Sequence, residues 1–149
     1  METEYKHTQY GAWTIVVFLI VGLLLIPVVG SMITGGRVLV AIVTIALLLL
    51  GLALFYALTV QISDGKLKFW FGIGLIKKTY ALDEIQSTRE VRDPWYYFWG
   101  IKSIPGGWLY AVAPGEALEI VLQGDKTIHV GTNQSKELKE ALDKAMAAE

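Results

Sequence analysis

Few residues in this sequence could carry out catalysis or bind a metal ion. There is no cysteine, and the two histidines, His7 and His129, are far apart along the chain. Each histidine is interpreted as a local packing or surface residue. Common catalytic and nucleotide-binding patterns, such as H-x-x-x-H, G-x-S-x-G and the Walker loop, do not occur in the sequence. The sequence therefore predicts a protein that is not an enzyme and that binds no cofactor or metal.

Two short stretches look like fragments of functional motifs. Residues 72–74 read Gly-Ile-Gly, which is part of a nucleotide-binding loop, but a tight turn is the better interpretation. Asp83 and Glu84 are adjacent carboxylates in the stretch "LDEI". Because side chains adjacent in sequence do not face each other, we interpret this stretch as a turn that leads into a strand.

An unbroken aromatic run between Arg92 and Lys102 is the strongest candidate binding site. Successive side chains of a strand point to opposite faces, so these rings cannot all enter one core. Pro94 and Gly100 bracket the run, which favours a defined loop. Its rings could pack on the domain's own core and a neighbouring loop, rest on a bilayer at the headgroup level, or form a partner-binding patch. The candidate contact residues are Trp95, Tyr96, Tyr97, Phe98 and Trp99.

Lysines at the first predicted β-hairpin and shortly after it form a second candidate surface. The whole chain carries a net charge of −1, and no block of basic residues suits a nucleic acid. We therefore expect no nucleic-acid partner and only weak attraction to anionic lipid headgroups. The lysines that could supply this attraction are Lys66, Lys68, Lys77 and Lys78.

Two long apolar segments precede these residues. Residues 8–36 and 38–63 contain no Lys, Arg, Asp or Glu, and each run exceeds the roughly 20 residues needed to cross a bilayer. The sequence predicts transmembrane helices over residues 13–33 and 38–60, the first of which tolerates Pro27. The alternatives are two buried helices of a soluble protein and, for the first segment, a signal peptide.

The short loop between these segments predicts an antiparallel helical hairpin, with both chain ends on one side of the membrane. More lysines follow the second segment than the single Arg37 of the loop supplies, which favours a cytoplasmic N-terminus and C-terminal domain at the plasma (inner) membrane. The predicted organisation is a short N-terminal segment (1–12), the helical hairpin (13–60) and a β domain (61–149).

The remaining chain reads as antiparallel strands followed by one helix. Asp64-Gly65 and Gly124-Asp125 are strong two-residue hairpin signals between alternating segments. The strands are predicted over residues 58–63, 66–71, 75–82, 85–92, 107–113, 116–123 and 126–132. An apolar stripe predicts a C-terminal amphipathic helix capped by Thr132 or Asn133. The stripe consists of Leu138, Ala141, Leu142, Ala145 and Met146.

Residues 72–142 resemble the bacterial pleckstrin-homology-like membrane proteins. The matching features are the Leu-Asp-Glu-Ile step at 82–85, the Pro-Trp segment that ends in Trp-Gly-Ile at 99–101, the Gly-Gly-Trp-Leu-Tyr strand at 106–110 and the "IHVGT" stretch before the last helix. The resemblance implies an α+β membrane protein. Its helical hairpin would be followed by a pleckstrin-homology-like antiparallel sandwich or barrel of about seven strands with a C-terminal capping helix. It implies a membrane location and no reaction.

Taken together, the sequence predicts a membrane-anchored, non-enzymatic scaffold at the cytoplasmic face. The aromatic loop and adjacent surface would bind another membrane protein, a second copy of the chain or lipid headgroups of the bilayer. One alternative is a receptor that holds a lipid or small molecule between the aromatic loop and the mouth of the barrel. Another is an accessory subunit of an envelope transporter or protease complex.

Overall fold

The computed structural model describes residues 3–97 and 99–148. This part of the chain is an α+β structure of three α-helices and nine strands, with single 3-10 turns at Leu82–Glu84 and Trp95–Tyr97. The helices are α1 (Ala12–Thr34), α2 (Val38–Phe55) and α3 (Ser135–Ala147). The strands are β1 (Thr3–Tyr10), β2 (Ala57–Ser63), β3 (Lys66–Phe71), β4 (Ile76–Ala81), β5 (Ile85–Arg92), β6 (Gly100–Ile104), β7 (Gly107–Ala111), β8 (Glu116–Leu122) and β9 (Lys126–Gly131).

Helices α1 and α2 pack side by side as a helical hairpin. They contain 23 and 18 residues, and both are long and apolar enough to cross a membrane. In the described structure their buried residues are Thr14 and Ala41, and most of their apolar side chains point away from the protein. Such helices are not the core of a soluble domain. A Cβ at Gly51 would lie 2.9 Å from the ring of Phe18, so this glycine allows the two helices to approach closely.

The end of the second helix differs from its prediction. The sequence predicts a helix to residue 60, whereas α2 ends at Phe55 and β2 begins at Ala57. Leu58 and Val60 are apolar because they point into the core of the β domain, where they are 1% and 2% exposed. A buried strand that follows an apolar helix directly leaves no boundary in hydropathy.

The strands form two sheets, with orders β1-β2-β3-β4 (sheet A) and β5-β8-β9-β7-β6 (sheet B). All seven predicted strands are present, but β1 and β6 are additional, and β7 pairs with β9 in parallel rather than antiparallel. Strand β9 lies between β8 and β7 and runs antiparallel to β8. Because β8 runs in the opposite direction to β7, β9 runs in the same direction as β7. In the described part of the chain the two sheets do not join into a closed barrel.

One core fills the space between the sheets and beneath α3. The predicted apolar stripe of α3 is confirmed, since Leu138 and Leu142 are fully buried and Ala145 is 5% exposed. The helix begins later than its predicted caps. Thr132 accepts a hydrogen bond from the Gln134 amide, and Asn133 instead contacts His7. The largest fully buried side chains of this core are Leu58, Ile62, Leu67, Phe69, Phe71, Val112, Leu118, Ile120, Val130, Leu138 and Leu142.

Strands β1 and β2 connect the two ends of the helical hairpin to sheet A. Strand β1 pairs with β2 from Thr3 opposite Ser63 to Tyr10 opposite Ala57. Gly11 alone separates β1 from α1, and its amide donates a 2.8 Å hydrogen bond to the Tyr56 carbonyl. The division into three segments at residues 12 and 60 stays a prediction, to which the structure adds that residues 3–10 are a strand of the β domain's own sheet.

Candidate binding surface at the helix end of the β domain

Three loops meet at the helix end of the β domain, which is the end of both sheets from which α1 and α2 leave. Residues 72–75 join β3 to β4 there, because Phe71 lies opposite Ile76 and next to the start of β2. Residues 112–115 lie there too, since the Thr14 hydroxyl of α1 donates to the Val112 carbonyl at 3.2 Å. The aromatic loop, residues 94–99, starts beside them, because the Asp93 amide donates to the Gly115 carbonyl at 2.7 Å.

The aromatic loop divides its rings between two environments. Tyr97 and Trp99 are half-buried and pack on the outer face of sheet B, against a cluster formed by Ile104, Leu109 and Ala111. Trp95 and Tyr96 are 74% and 58% exposed. Their ring centroids are 6.0 Å apart in an edge-on arrangement. Phe98, the fifth candidate contact residue, lies outside the described residues. The loop therefore anchors itself with one pair of rings and presents the other pair.

A hydrogen-bonded cluster holds the start of this loop on sheet B. The His129 ring lies between two carboxylates, with Nδ1 at 2.8 Å from Asp93 Oδ1 and Nε2 at 3.1 Å from Glu119 Oε2. Arg89 Nη2 lies 3.1 Å from Glu119 on its other side. The side chains of Asp93 and His129 are 7% and 12% exposed. We name Asp93, His129, Glu119 and Arg89 the His129 cluster.

Sequence reasoning interprets His129 as a local packing residue and does not identify its partners. The cluster forms because His129 and Arg89 both lie opposite Glu119 on neighbouring strands of sheet B. A neutral imidazole has one N–H, so contacts with both carboxylates are donated together only by the imidazolium form. Within the described residues, no group of His, Cys, Asp or Glu side chains could hold a metal ion. The cluster links the start of the aromatic loop to sheet B.

The β3–β4 turn packs directly on the last turn of α2. The Ile73 amide donates to the Ala53 carbonyl at 3.2 Å, and the rings of Phe55 and Phe71 lie 5.6 Å apart. Gly72 has φ +50°, and a Cβ there would lie 2.0 Å from the Ala53 carbonyl oxygen. The turn predicted at residues 72–74 is confirmed. Its exposed apolar residues, Ile73 at 59% and Leu75 at 68%, were not predicted as functional.

The four candidate lysines do not form a single cluster. Lys68, Lys77 and Lys78 line an open depression of ≈ 430 Å³ on sheet A, which Trp70 and Thr79 also line. Lys66 instead lies opposite Ala81, at the end of sheet A far from the helices.

Lys6 of β1 joins the surface around this depression, which the sequence did not indicate. Its Nζ lies 5.8 Å from the centroid of the Trp70 ring, within the range of a cation–π interaction. Trp70 in turn lies opposite Lys77 on β4. The outer side of sheet A is therefore basic around one tryptophan, close to the helix end of the β domain.

Two other grooves and one crevice also lie on the described part of the chain. A groove of ≈ 450 Å³ between β1 and α3 is lined by Tyr5, whose hydroxyl donates to Gln134 Oε1 at 2.9 Å. Partial burial, and secondarily the nearby Glu137 carboxylate, raise the pKa of Tyr5 to about 12. A second groove of ≈ 310 Å³ lies between α1 and α2. The crevice beside Asp93, under the aromatic loop, has no volume that a water molecule could occupy.

The fold and surface define an α+β protein in which two long apolar helices and a β-sheet domain form one structure. No protein-family model, curated protein sequence or solved structure matches this chain. The resemblance to pleckstrin-homology-like proteins therefore stays a prediction.

Proposed function

We propose that this chain is a membrane-anchored, non-enzymatic binding module that recognises another membrane protein through Trp95 and Tyr96. In this proposal α1 and α2 cross the plasma membrane. The N-terminus and the β domain, whose sheets and C-terminal helix we take to be pleckstrin-homology-like, lie on the cytoplasmic side. The observation that carries the proposal is the exposure of Trp95 and Tyr96 at the helix end of the domain.

The membrane position is supported by the surface of the helical hairpin. Its apolar side chains face outward. Exposing so many of them to water is unfavourable, so lipid or another protein is needed to cover them. Arg37 lies in the loop at the other end of the hairpin from Lys77 and Lys78. The larger number of lysines beside the β domain favours placing that domain in the cytoplasm.

The aromatic pair suits a protein partner because the loop beneath it is already fixed. Tyr97 packs on sheet B, and the His129 cluster holds Asp93 at the start of the loop. A partner that covers Trp95 and Tyr96 therefore orders little additional chain, which reduces the entropic cost of binding. Exposed Trp and Tyr side chains are also the residue types most enriched at the energetic centres of interfaces.

The position of the aromatic loop relative to the proposed membrane surface favours one kind of partner. The loop starts next to the segment that contacts Thr14 in the first turn of α1, so it lies near the level where the hairpin enters the bilayer. A partner must therefore reach these rings at the membrane surface, which membrane proteins do most readily. The proposal assigns no catalysis to the His129 cluster, since both ring nitrogens already face carboxylates.

Photo-crosslinking in cells tests this proposal. A photo-reactive amino acid in place of Tyr96 should form a discrete adduct with a partner protein. The same photo-reactive amino acid in place of Tyr97, which packs on sheet B, should form adducts only within the chain. The two variants differ by one position in the same loop, so expression and membrane insertion are matched.

Three other outcomes of the crosslinking experiment would each lead to a different conclusion. Adducts at residue 96 with lipid alone would make the loop a bilayer contact and contradict a protein partner. Equal protein adducts at both positions would mean that the orientation of the loop does not determine binding. An adduct with a second copy of the chain would identify the partner as the protein itself.

A further inference from the structure

The β3–β4 turn exposes apolar side chains where it meets the end of α2. Ile73 and Leu75 are 59% and 68% exposed, although the turn between them is fixed by Gly72 against the Ala53 carbonyl. Their position beside α2 places them next to the point where an inserted helix would leave the hydrocarbon layer. Apolar side chains held rigidly at this level are covered by lipid rather than water if α2 crosses the membrane.

Two lysines follow the turn at a distance that places them in the headgroup layer when the turn reaches the hydrocarbon layer. Lys77 and Lys78 come two and three residues after Leu75, about 7–10 Å away along a strand that rises about 3.3 Å per residue. The headgroup layer on each side of a bilayer is roughly 5–7 Å thick, and a lysine side chain can extend its charge back toward it. Both lysines are exposed, and no acidic residue occurs between Asp64 and Asp83.

We propose that this turn is a second membrane contact, in which Ile73 and Leu75 insert among the lipids and Lys77 and Lys78 bind the headgroups of anionic phospholipids. The apolar pair and the basic pair meet the hydrocarbon edge and the headgroup layer in the order in which a bilayer presents them. This order, together with the contact on α2, identifies the occupant as the bilayer surface and not a free phosphate. The inference rests on the proposed membrane anchoring, but not on the proposed protein partner.

The contact would set the orientation of the β domain on the membrane. The helical hairpin fixes one point of sheet A, and the turn fixes a second point beside it, on β3 and β4. Lys66, at the far end of the same sheet, lies about 17–20 Å from the turn along β3 and is out of reach of the headgroups. Anionic lipid should therefore act through Lys77 and Lys78 and not through lysines in general.

Spin labelling of the full chain in nanodiscs tests the apolar half of the contact. The chain contains no cysteine, so Leu75→Cys provides a single site for a nitroxide label. Its collisions with oxygen should exceed those with a water-soluble nickel complex several-fold, relative to a label at the exposed residue Ser87. Leu47→Cys, within α2, reports independently whether the hairpin itself is in the bilayer.

Photoactivatable lipids test the charged half. Each basic residue near an anionic surface contributes a factor of roughly five in binding, so photoactivatable phosphatidylglycerol should label the chain several-fold more than photoactivatable phosphatidylcholine. The variant Lys77→Gln/Lys78→Gln should lose this preference. The variant Lys66→Gln/Lys126→Gln removes the same charge at the far end of the domain and should retain it.

Two results would overturn the proposal. One is a label at residue 75 as accessible to nickel as the label at residue 87, while the label at residue 47 is immersed. The other is an unchanged lipid preference in the Lys77→Gln/Lys78→Gln variant. Either result leaves the crosslinking test at Tyr96 unaffected. A label at residue 47 that is exposed to nickel would instead overturn the membrane anchoring on which both proposals rest.

Discussion

At the scale of single residues, His129 links the start of the aromatic loop to sheet B. It joins Asp93, the residue before the loop, to Glu119 in the middle of sheet B. We expect His129→Ala to lower the free energy of unfolding by about 2–3 kcal/mol, because two partly or fully buried carboxylates lose a donor. Denaturant unfolding in detergent, followed by tryptophan fluorescence, measures this change.

His7 provides the comparison for this variant. Its ring also contacts one polar side chain, Asn133 at 2.6 Å, but that contact is exposed. We therefore expect His7→Ala to change stability by less than about 1 kcal/mol. Hydrogen exchange of the loop amides should rise in His129→Ala and not in His7→Ala. Equal effects of the two variants would show that the His129 cluster does not hold the loop.

Two tyrosines make stability depend on alkaline pH. Burial is the main cause that raises the pKa of both Tyr5 and Tyr80 from 10.0 to about 12. The folded protein therefore keeps protons that the unfolded chain releases between about pH 10 and pH 12. Stability should be independent of these groups below pH 10 and fall as the pH rises toward 12.

Unfolding at a series of alkaline pH values checks this dependence, with tyrosinate absorbance as the second signal. Replacing either Tyr5 or Tyr80 by Phe should make the decrease shallower, since one ionising group is removed. If stability decreases with pH as steeply in both single variants as in the unchanged protein, groups other than these two tyrosines cause the alkaline transition.

At the scale of elements, the seam between α2 and sheet A depends on Gly72. Ala at this position would carry a strained φ of +50° and a Cβ 2.0 Å from the Ala53 carbonyl oxygen. We expect Gly72→Ala to lower the free energy of unfolding by about 2 kcal/mol or more, and to detach the turn from the helix. Denaturant unfolding, combined with hydrogen exchange at the Ile73 amide, measures both effects.

Gly106→Ala is the matched control for this seam. Gly106 also has a positive φ, +91°, but a Cβ there would have no neighbour within 4 Å. The difference between the two variants therefore isolates the contact with α2 from backbone strain. A loss of stability in Gly106→Ala as large as that in Gly72→Ala would mean that the contact contributes little.

The elements that the sequence predicts well are those with local signals. The β-hairpin turn at Asp64-Gly65 is present, with both residues at positive φ, and the apolar stripe of α3 is buried as its spacing indicates. Strand β1 was not predicted, because its partner β2 is separated from it by both apolar helices and its polar residues resemble a leading tail. The parallel pairing of β7 with β9 was missed for the same reason, since no local pattern records which strand lies beside which.

The candidate surface was predicted in part. The aromatic run and the lysines are visible in composition, and the position of Pro94 indicates a loop. What the sequence does not contain is the division of the rings, because Tyr96 and Tyr97 are chemically identical neighbours that differ only in whether sheet B lies beneath them. Ile73 and Leu75 were overlooked because isolated apolar residues in a turn have no signature without the adjacent helix.

At the scale of the whole molecule, the helical hairpin is an insertion within sheet A and not an anchor attached by a tether. The chain leaves the sheet after β1 through Gly11 and returns to it through Tyr56. A domain joined in this way cannot swing freely relative to the two helices, as a domain on a flexible linker does. The fixed heights proposed for Trp95, Tyr96 and the β3–β4 turn follow from this double connection.

The same connection links folding to the way the chain is made. Strand β1 is synthesised first, but β2, its partner from Tyr10 opposite Ala57 outward, emerges only after both helices. If one helix failed to cross the bilayer, the two strands would lie in different compartments and sheet A could not assemble. If α1 and α2 cross a bilayer as proposed, the pairing of β1 with β2 acts as a check on membrane topology, since the two strands meet only when they lie on the same side of the bilayer.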